Sequence, residues 1–163
     1  MKVKLLAAMA LMGGMALNAY AVDQDITVTA SIDPMMTLMM EDGSNLPSAI
    51  EMKYLADMNK LAPKIINTRV HTNDVEKDLN IKLYNAAQLT HTLTPANTIQ
   101  LTVKFDGKAL TTANTTFTAT SLFSTAKGAG ASRSIPLEIS SGNVTPAAGF
   151  YTGLVRLAVV QAP

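Results

Sequence analysis

"TIQLTVKFDG", residues 98–107, decides the fold. Ile99, Leu101, Val103 and Phe105 alternate with Gln100, Thr102 and Lys104. Successive side chains of a strand point to opposite faces, so the segment has one apolar face and one polar face. Asp106-Gly107 then ends it. Glycine accepts positive φ without a Cβ clash, and Asp-Gly is a strong signal for a two-residue hairpin turn. A strand with one buried face that turns back at once belongs to an antiparallel sheet.

The same period extends in both directions. "KIINTRVHT" (64–72) carries Ile66, Thr68 and Val70 on one face, and "DLNIKLY" (78–84) carries Leu79, Ile81 and Leu83. "SAIEMKYL" (48–55) sets Ile50, Met52 and Tyr54 against Glu51 and Lys53. "SIPLEIS" (134–140) offers Ile135, Leu137 and Ile139, with Pro136 predicting an edge strand or a bulge because it has no N–H to give a ladder. In "GLVRLAVVQAP" (153–163) Arg156 forces Val155, Leu157 and Val159 inward. "YLADMNKLAP" (54–63) predicts a helical turn stopped by Pro63. "AKGAGASRS" (126–134) and "SGNVTPAAG" (141–149) read as loops, and "NDVEKD" (73–78) as a solvated turn. Short strands at regular intervals, rich in Thr, predict one all-β domain, an antiparallel sandwich.

The first residues predict a processing signal instead of a strand. Lys2 and Lys4 precede an apolar run at 5–17, and Ala19-Tyr20-Ala21 has the small-x-small form of a cleavage site. The run is short for a bilayer span, and Gly13-Gly14 suits a packed helix poorly. The expectation is a signal peptide over residues 1–21, cut between Ala21 and Val22, and hence export. Its loss removes two lysines and no acid, taking the formal charge from +1 to −1 (1 − 2).

That composition bears on function. The chain has no cysteine, so no disulfide framework supports it outside the cytoplasm. No basic patch argues for nucleic acid. Few aromatic residues and no Trp weaken a stacking-based sugar reader. His71 and His91 have no second ligand at a metal spacing, no serine sits in a G-x-S-x-G elbow, and "GAGAS" lacks the Lys-Ser/Thr of a phosphate loop. The expectation is no catalytic residue, no metal and no cofactor. The methionines of "PMMTLMMED" (34–42), with Met52, read as adaptable apolar packing.

"VDQDITVTASIDP" (22–34) alternates as cleanly as any later strand, with Val22, Ile26, Val28, Ala30 and Ile32 on one parity. Periodicity identifies a strand and not its partner, so alternation alone leaves two readings open: the first strand of its own sandwich, or a strand given to another molecule.

"ITVTASIDP", "DGSNLPSAIEMKY" (42–54), "VHTNDVEKDLNIKL" (70–83) and "AAGFYTGLVRLAVV" (147–160) occur in an order and spacing that resemble the major pilin of CFA/I-like fimbriae. These are the class 5, or alpha, group of chaperone–usher pili in enteric bacteria, and the likeness covers residues 22–160. The resemblance implies an immunoglobulin-like sandwich that is incomplete, its missing final strand supplied by donor-strand exchange from the next subunit. It implies a donor strand at 22–33 with Val22, Ile26, Val28, Ala30 and Ile32 facing the groove, a hinge at Pro34, and a pilin domain at 34–163. Val155, Leu157 and Val159 would belong to the acceptor groove. The partners so implied are neighbouring copies of the chain, a periplasmic chaperone, an outer-membrane usher, a tip adhesin and host-surface glycans. The product would be a fimbrium on the bacterial surface, reached through the periplasm. A secreted monomeric carbohydrate-binding sandwich is the alternative, and a sandwich hydrolase a third reading without a visible site.

Overall fold

The computed structural model describes Thr29, residues 35–123 and residues 130–163. The expected cleavage pair Ala21 and Val22, the expected donor residues Ile26, Val28, Ala30 and Ile32, and Pro34 lie outside the described residues.

Among the described residues from Met35 onward, the regular structure is β apart from one helical turn. Its first strands are β1 (Met36–Met40), β2 (Tyr54–Leu55), β3 (Lys60–Leu61), β4 (Lys64–Thr72) and β5 (Leu79–Leu83). The middle of the chain supplies β6 (Gln88–His91), β7 (Thr98–Phe105), β8 (Lys108–Ala109) and β9 (Thr115–Phe117). A single helical turn, α1 (Ala119–Leu122), precedes β10 (Gly130–Ala131), β11 (Ile135–Ser141), β12 (Tyr151–Thr152) and β13 (Leu157–Gln161). The larger sheet runs β1-β4-β11-β7-β6-β12, with β10 beside β4 and β8 beside β7, and the smaller runs β13-β5-β9. Every pairing among the described residues is antiparallel.

The alternation read from the sequence matches the burial. Val70, Val103, Phe105, Ile135, Leu137 and Ile139 of the larger sheet meet Leu79, Ile81, Leu83 and Phe117 of the smaller one in a single apolar cluster. Phe105 and Phe117 join the layers edge to face, with ring centroids 5.3 Å apart. Such pairs add about 0.5–1.5 kcal/mol beyond the area they bury. Two buried hydroxyls inside are satisfied: Thr68 Oγ1 donates to Ile135 O at 2.9 Å, and Ser132 Oγ accepts from Val70 N–H at 2.9 Å. Asp78 Oδ1 accepts from Ala119 N–H at 2.8 Å, which fastens the helical turn to the start of β5.

Three expectations are corrected. Pro136 is in neither an edge strand nor a bulge: β11 lies between β4 and β7. Its carbonyl accepts from Asp106 N–H at 3.0 Å, so its ring faces β7 where β7 has already turned, beyond the last ladder pair, Leu137 with Phe105. The missing N–H therefore costs no ladder bond. Residues 54–61 form a hairpin, not a helical turn: Tyr54 pairs Leu61, and Asn59 takes φ +47°, accepting a bond from Tyr54 OH at 3.1 Å. Asn adopts that left-handed conformation more readily than most residues. Within the expected loop at 126–134, Gly130 and Ala131 pair with Thr72 and His71.

Candidate functional site

Two stretches of chain leave the ladders and run along the open side of the sandwich. The first follows β1. Gly43 takes φ +84°, which a side chain would resist. Gly43 N–H donates to Met40 O at 2.9 Å and Met40 N–H to Ser44 O at 2.8 Å, closing a turn. Ser44 Oγ and Ser44 N–H donate to Asp42 Oδ1 at 2.6 and 2.9 Å. The hydroxyl first and the amide second hold this exposed carboxyl below its ordinary 3.8. The turn sends residues 46–52 past β4, with no sheet partner among the described residues. Among the described residues, their backbone N–H and C=O groups make no backbone hydrogen bond.

The second stretch lies between β12 and β13, where the chain crosses from the larger sheet to the smaller. Gly153 lets it pass close over β6, since a Cβ there would collide with Gln88 O. Before the crossing, Gly149 takes φ +147°, and a Cβ on it would enter the imidazole of His91. That ring is buried and fully engaged. Its Nδ1 accepts from Leu93 and Thr94 N–H at 3.2 and 3.0 Å, so Nε2 carries the proton and donates to Ala148 O at 3.2 Å. Tyr151 stacks edge-on against it, centroids 4.9 Å apart. His91 thus anchors the loop that enters the crossing, which is why a lone histidine here needs no metal. Beyond the crossing, β13 pairs β5 on one side and has no strand on the other among the described residues.

Between these stretches lies a groove of about 1050 Å³. Ile66, Leu101, Leu137 and Ile139 floor it from the larger sheet; Met52 and Ile50 line one wall, Val155 and Leu157 the other. The chemistry is simple. The floor is apolar, and the walls carry peptide groups without a backbone partner among the described residues, which need hydrogen-bond partners once water is displaced. An extended peptide with apolar residues at every second position satisfies both demands.

Of the residues singled out from the sequence, Val155 and Leu157 are half-buried and line the groove. Val159, further along β13, packs against the core and is not part of the lining. The opposite wall, residues 46–52, was missed as a site. Its signal was present in "SAIEMKYL", an alternating run that makes no ladder until Tyr54. The floor residues were read as core, which is where their faces point. Met36, Leu38 and Met52 pack partly buried on the core, as adaptable filling does. Among the described residues, no group of three or more His, Cys, Asp or Glu side chains stands close enough to hold a metal ion.

Comparison with known proteins gives a consistent result. The chain is 38% identical over 147 residues to a CFA/I fimbrial subunit of Escherichia coli O78:H11, covering 87% of this chain and 86% of that one. It is 34% identical over 151 residues to a CS1 fimbrial subunit of Escherichia coli, covering 89% and 88%. The structure of the CooA pilin subunit from enterotoxigenic Escherichia coli superposes with a TM-score of 0.70 at 30% identity, over 78% of this chain and 87% of that one. A chain in a chaperone–tip adhesin complex of CFA/I fimbriae biogenesis matches at TM-score 0.56 and 10% identity, over 78% of this chain and 42% of its own, a likeness of fold alone. The sandwich is therefore the immunoglobulin-like fold of a pilin, and its relatives are structural fimbrial subunits and not enzymes. With the pattern of the CS1 type fimbrial major subunit matching residues 22–160, the chain belongs to that family and is a structural subunit of a surface fimbrium.

Proposed function

We propose that this subunit polymerises head to tail by donor-strand exchange, residues 22–33 of one copy filling the groove of the next. The observation that carries the reading is the groove itself, whose floor is apolar and whose two walls have backbone groups without a partner among the described residues. The N-terminal segment has the matching pattern, with Val22, Ile26, Val28, Ala30 and Ile32 on one parity. Pro34 ends the donor strand and sets the hinge, since it fixes φ and gives no ladder bond. Burying Ile26, Val28 and Ile32 contributes roughly 1.5–3 kcal/mol each, about 5–9 kcal/mol together as an upper bound. That is comparable to the whole net stability of a typical domain.

The remaining steps follow from this. A subunit with an empty groove exposes an edge open to indiscriminate pairing, so a periplasmic chaperone lends a strand until assembly. Residues 1–21 direct export and are removed between Ala21 and Val22. An outer-membrane usher exchanges the chaperone for the next donor, and the shaft carries a tip adhesin toward host-surface glycans. Donor and groove occupy different places on one chain, so the contact is heterologous and extends instead of closing.

The test is a size distribution of protein carrying Ile26→Asp and Val28→Asp beside the unaltered chain, each co-expressed with cognate chaperone and usher. The expected result is heat-resistant polymers from the unaltered chain alone, with the variant accumulating on the chaperone. Equally stable monomers from both would overturn the reading.

A further inference from the structure

The rim of the groove continues onto an apolar lip. Leu93, in the turn between β6 and β7, is 87% exposed, and Phe150, just before β12, is 85% exposed. They share one end of the sandwich: Thr92 N–H donates to Phe150 O at 2.9 Å, and Tyr151 pairs His91. Leu154, 69% exposed, carries the apolar rim along the groove. Single exposed apolar residues are ordinary, but a contiguous set at the mouth of an open groove marks an interaction surface.

The strand registers say what stands there. The start of β7 lies beside the end of β11, Leu101 with Ser141. Ile139 faces Lys64, where β4 begins, and β4 ends at Thr72 opposite Met36. The lip and Met35 are therefore at opposite ends of the body. Met35 is 71% exposed, and its N–H donates to Asn73 Oδ1 at 3.0 Å, which ties it to the 73–78 turn. Along β13, Gln161 lies at the Met35 end, where its Nε2 donates to Thr72 Oγ1 at 3.1 Å, and Leu157 points toward the lip. A strand that pairs antiparallel with the free edge of β13, the more stable arrangement, finishes at the lip. The body attached to that strand begins there.

We propose that Leu93 and Phe150 of one subunit pack against Met35 and the adjoining 73–78 turn of the subunit that donates its strand. The inference rests on the strand-donation reading above and adds to it a contact between two folded bodies. That contact orients neighbours, so the filament has stiffness that a strand joint with a proline hinge does not supply.

The chain has no native cysteine, so introduced pairs report cleanly. Filaments carrying Met35→Cys with Phe150→Cys, and Met35→Cys with Leu93→Cys, are treated with a short thiol-to-thiol crosslinker and boiled in detergent. Met35→Cys with Lys108→Cys, an exposed position on β8 away from the groove and the lip, serves as the control. The expected result is a ladder of covalent multimers from both lip pairs and monomer from the control. Loss of assembly in both lip pairs, with the control assembling normally, also places the lip at the joint. Heat-resistant filaments without a ladder from either lip pair overturn the body contact while leaving strand donation standing. Failure of the unaltered chain to form such filaments defeats strand donation itself. Leu93→Ser combined with Phe150→Ser gives a second reading: filaments stay heat-resistant but bend more, their persistence length falling severalfold in micrographs, and an unchanged length overturns the contact.

Discussion

Gly149 gives the shortest line from one atom to the groove. At φ +147° its missing Cβ would point into His91, and the ring has no room to withdraw because two backbone amides hold it from the far side. Gly149→Ala is therefore expected to cost about 1–3 kcal/mol in strain and displaced bonds. The cost reads as a lower urea midpoint with an unchanged slope. Gly142, whose Cβ would meet nothing within 4 Å, is the matched control. Gly142→Ala should move stability by no more than about 0.5 kcal/mol. Nothing in the sequence separated these two glycines. Each stands in the same polar loop, and what distinguishes Gly149 is a histidine 58 residues earlier in the chain (149 − 91).

Among the elements, the β7–β8 hairpin was fully legible. Asp106 and Gly107 take φ +52° and +75°, both left-handed, as the favoured two-residue hairpin turn requires. A β-branched residue resists that conformation, so Gly107→Val should cost about 1–2 kcal/mol, measured by the same denaturation. The faces of β4, β5, β7 and β11 were legible for a related reason: side-chain alternation is local and the core reads it directly. Pairing is not local. The alternation at residues 48–53 looks like that of β5, yet β5 has strands on both sides and residues 48–53 have none among the described residues. The centrality of β11 was hidden too, since whether Pro136 spoils a ladder depends on where β7 ends. At 54–61 the turn rests on Asn59 in a left-handed conformation, a weaker signal than Asp-Gly, and the apolar residues there fit a helical turn equally well.

For the whole molecule, the strand-donation proposal predicts a body stabilised by a peptide that fills its groove. Residues 34–163 alone, titrated with a synthetic peptide of residues 22–33, should melt at rising temperature. The gain is about 2.7 kcal/mol when the peptide is at 100 times its dissociation constant. The same peptide with Ile26→Asp and Val28→Asp should leave the melting temperature unchanged. A shift of equal size from both peptides would mean that the groove is indifferent to the apolar face. The edge of β13, open among the described residues, also sets a race in time. Under the strand-donation proposal, capture of a free subunit by chaperone or donor proceeds at a rate set by that partner's concentration, whereas sticking to another empty subunit rises with the square of the subunit's own. Doubling the rate of subunit supply at fixed chaperone therefore raises the loss to aggregates faster than the yield of fibre. On that proposal, a cell that builds this filament gains more from making an escort in excess than from making more pilin.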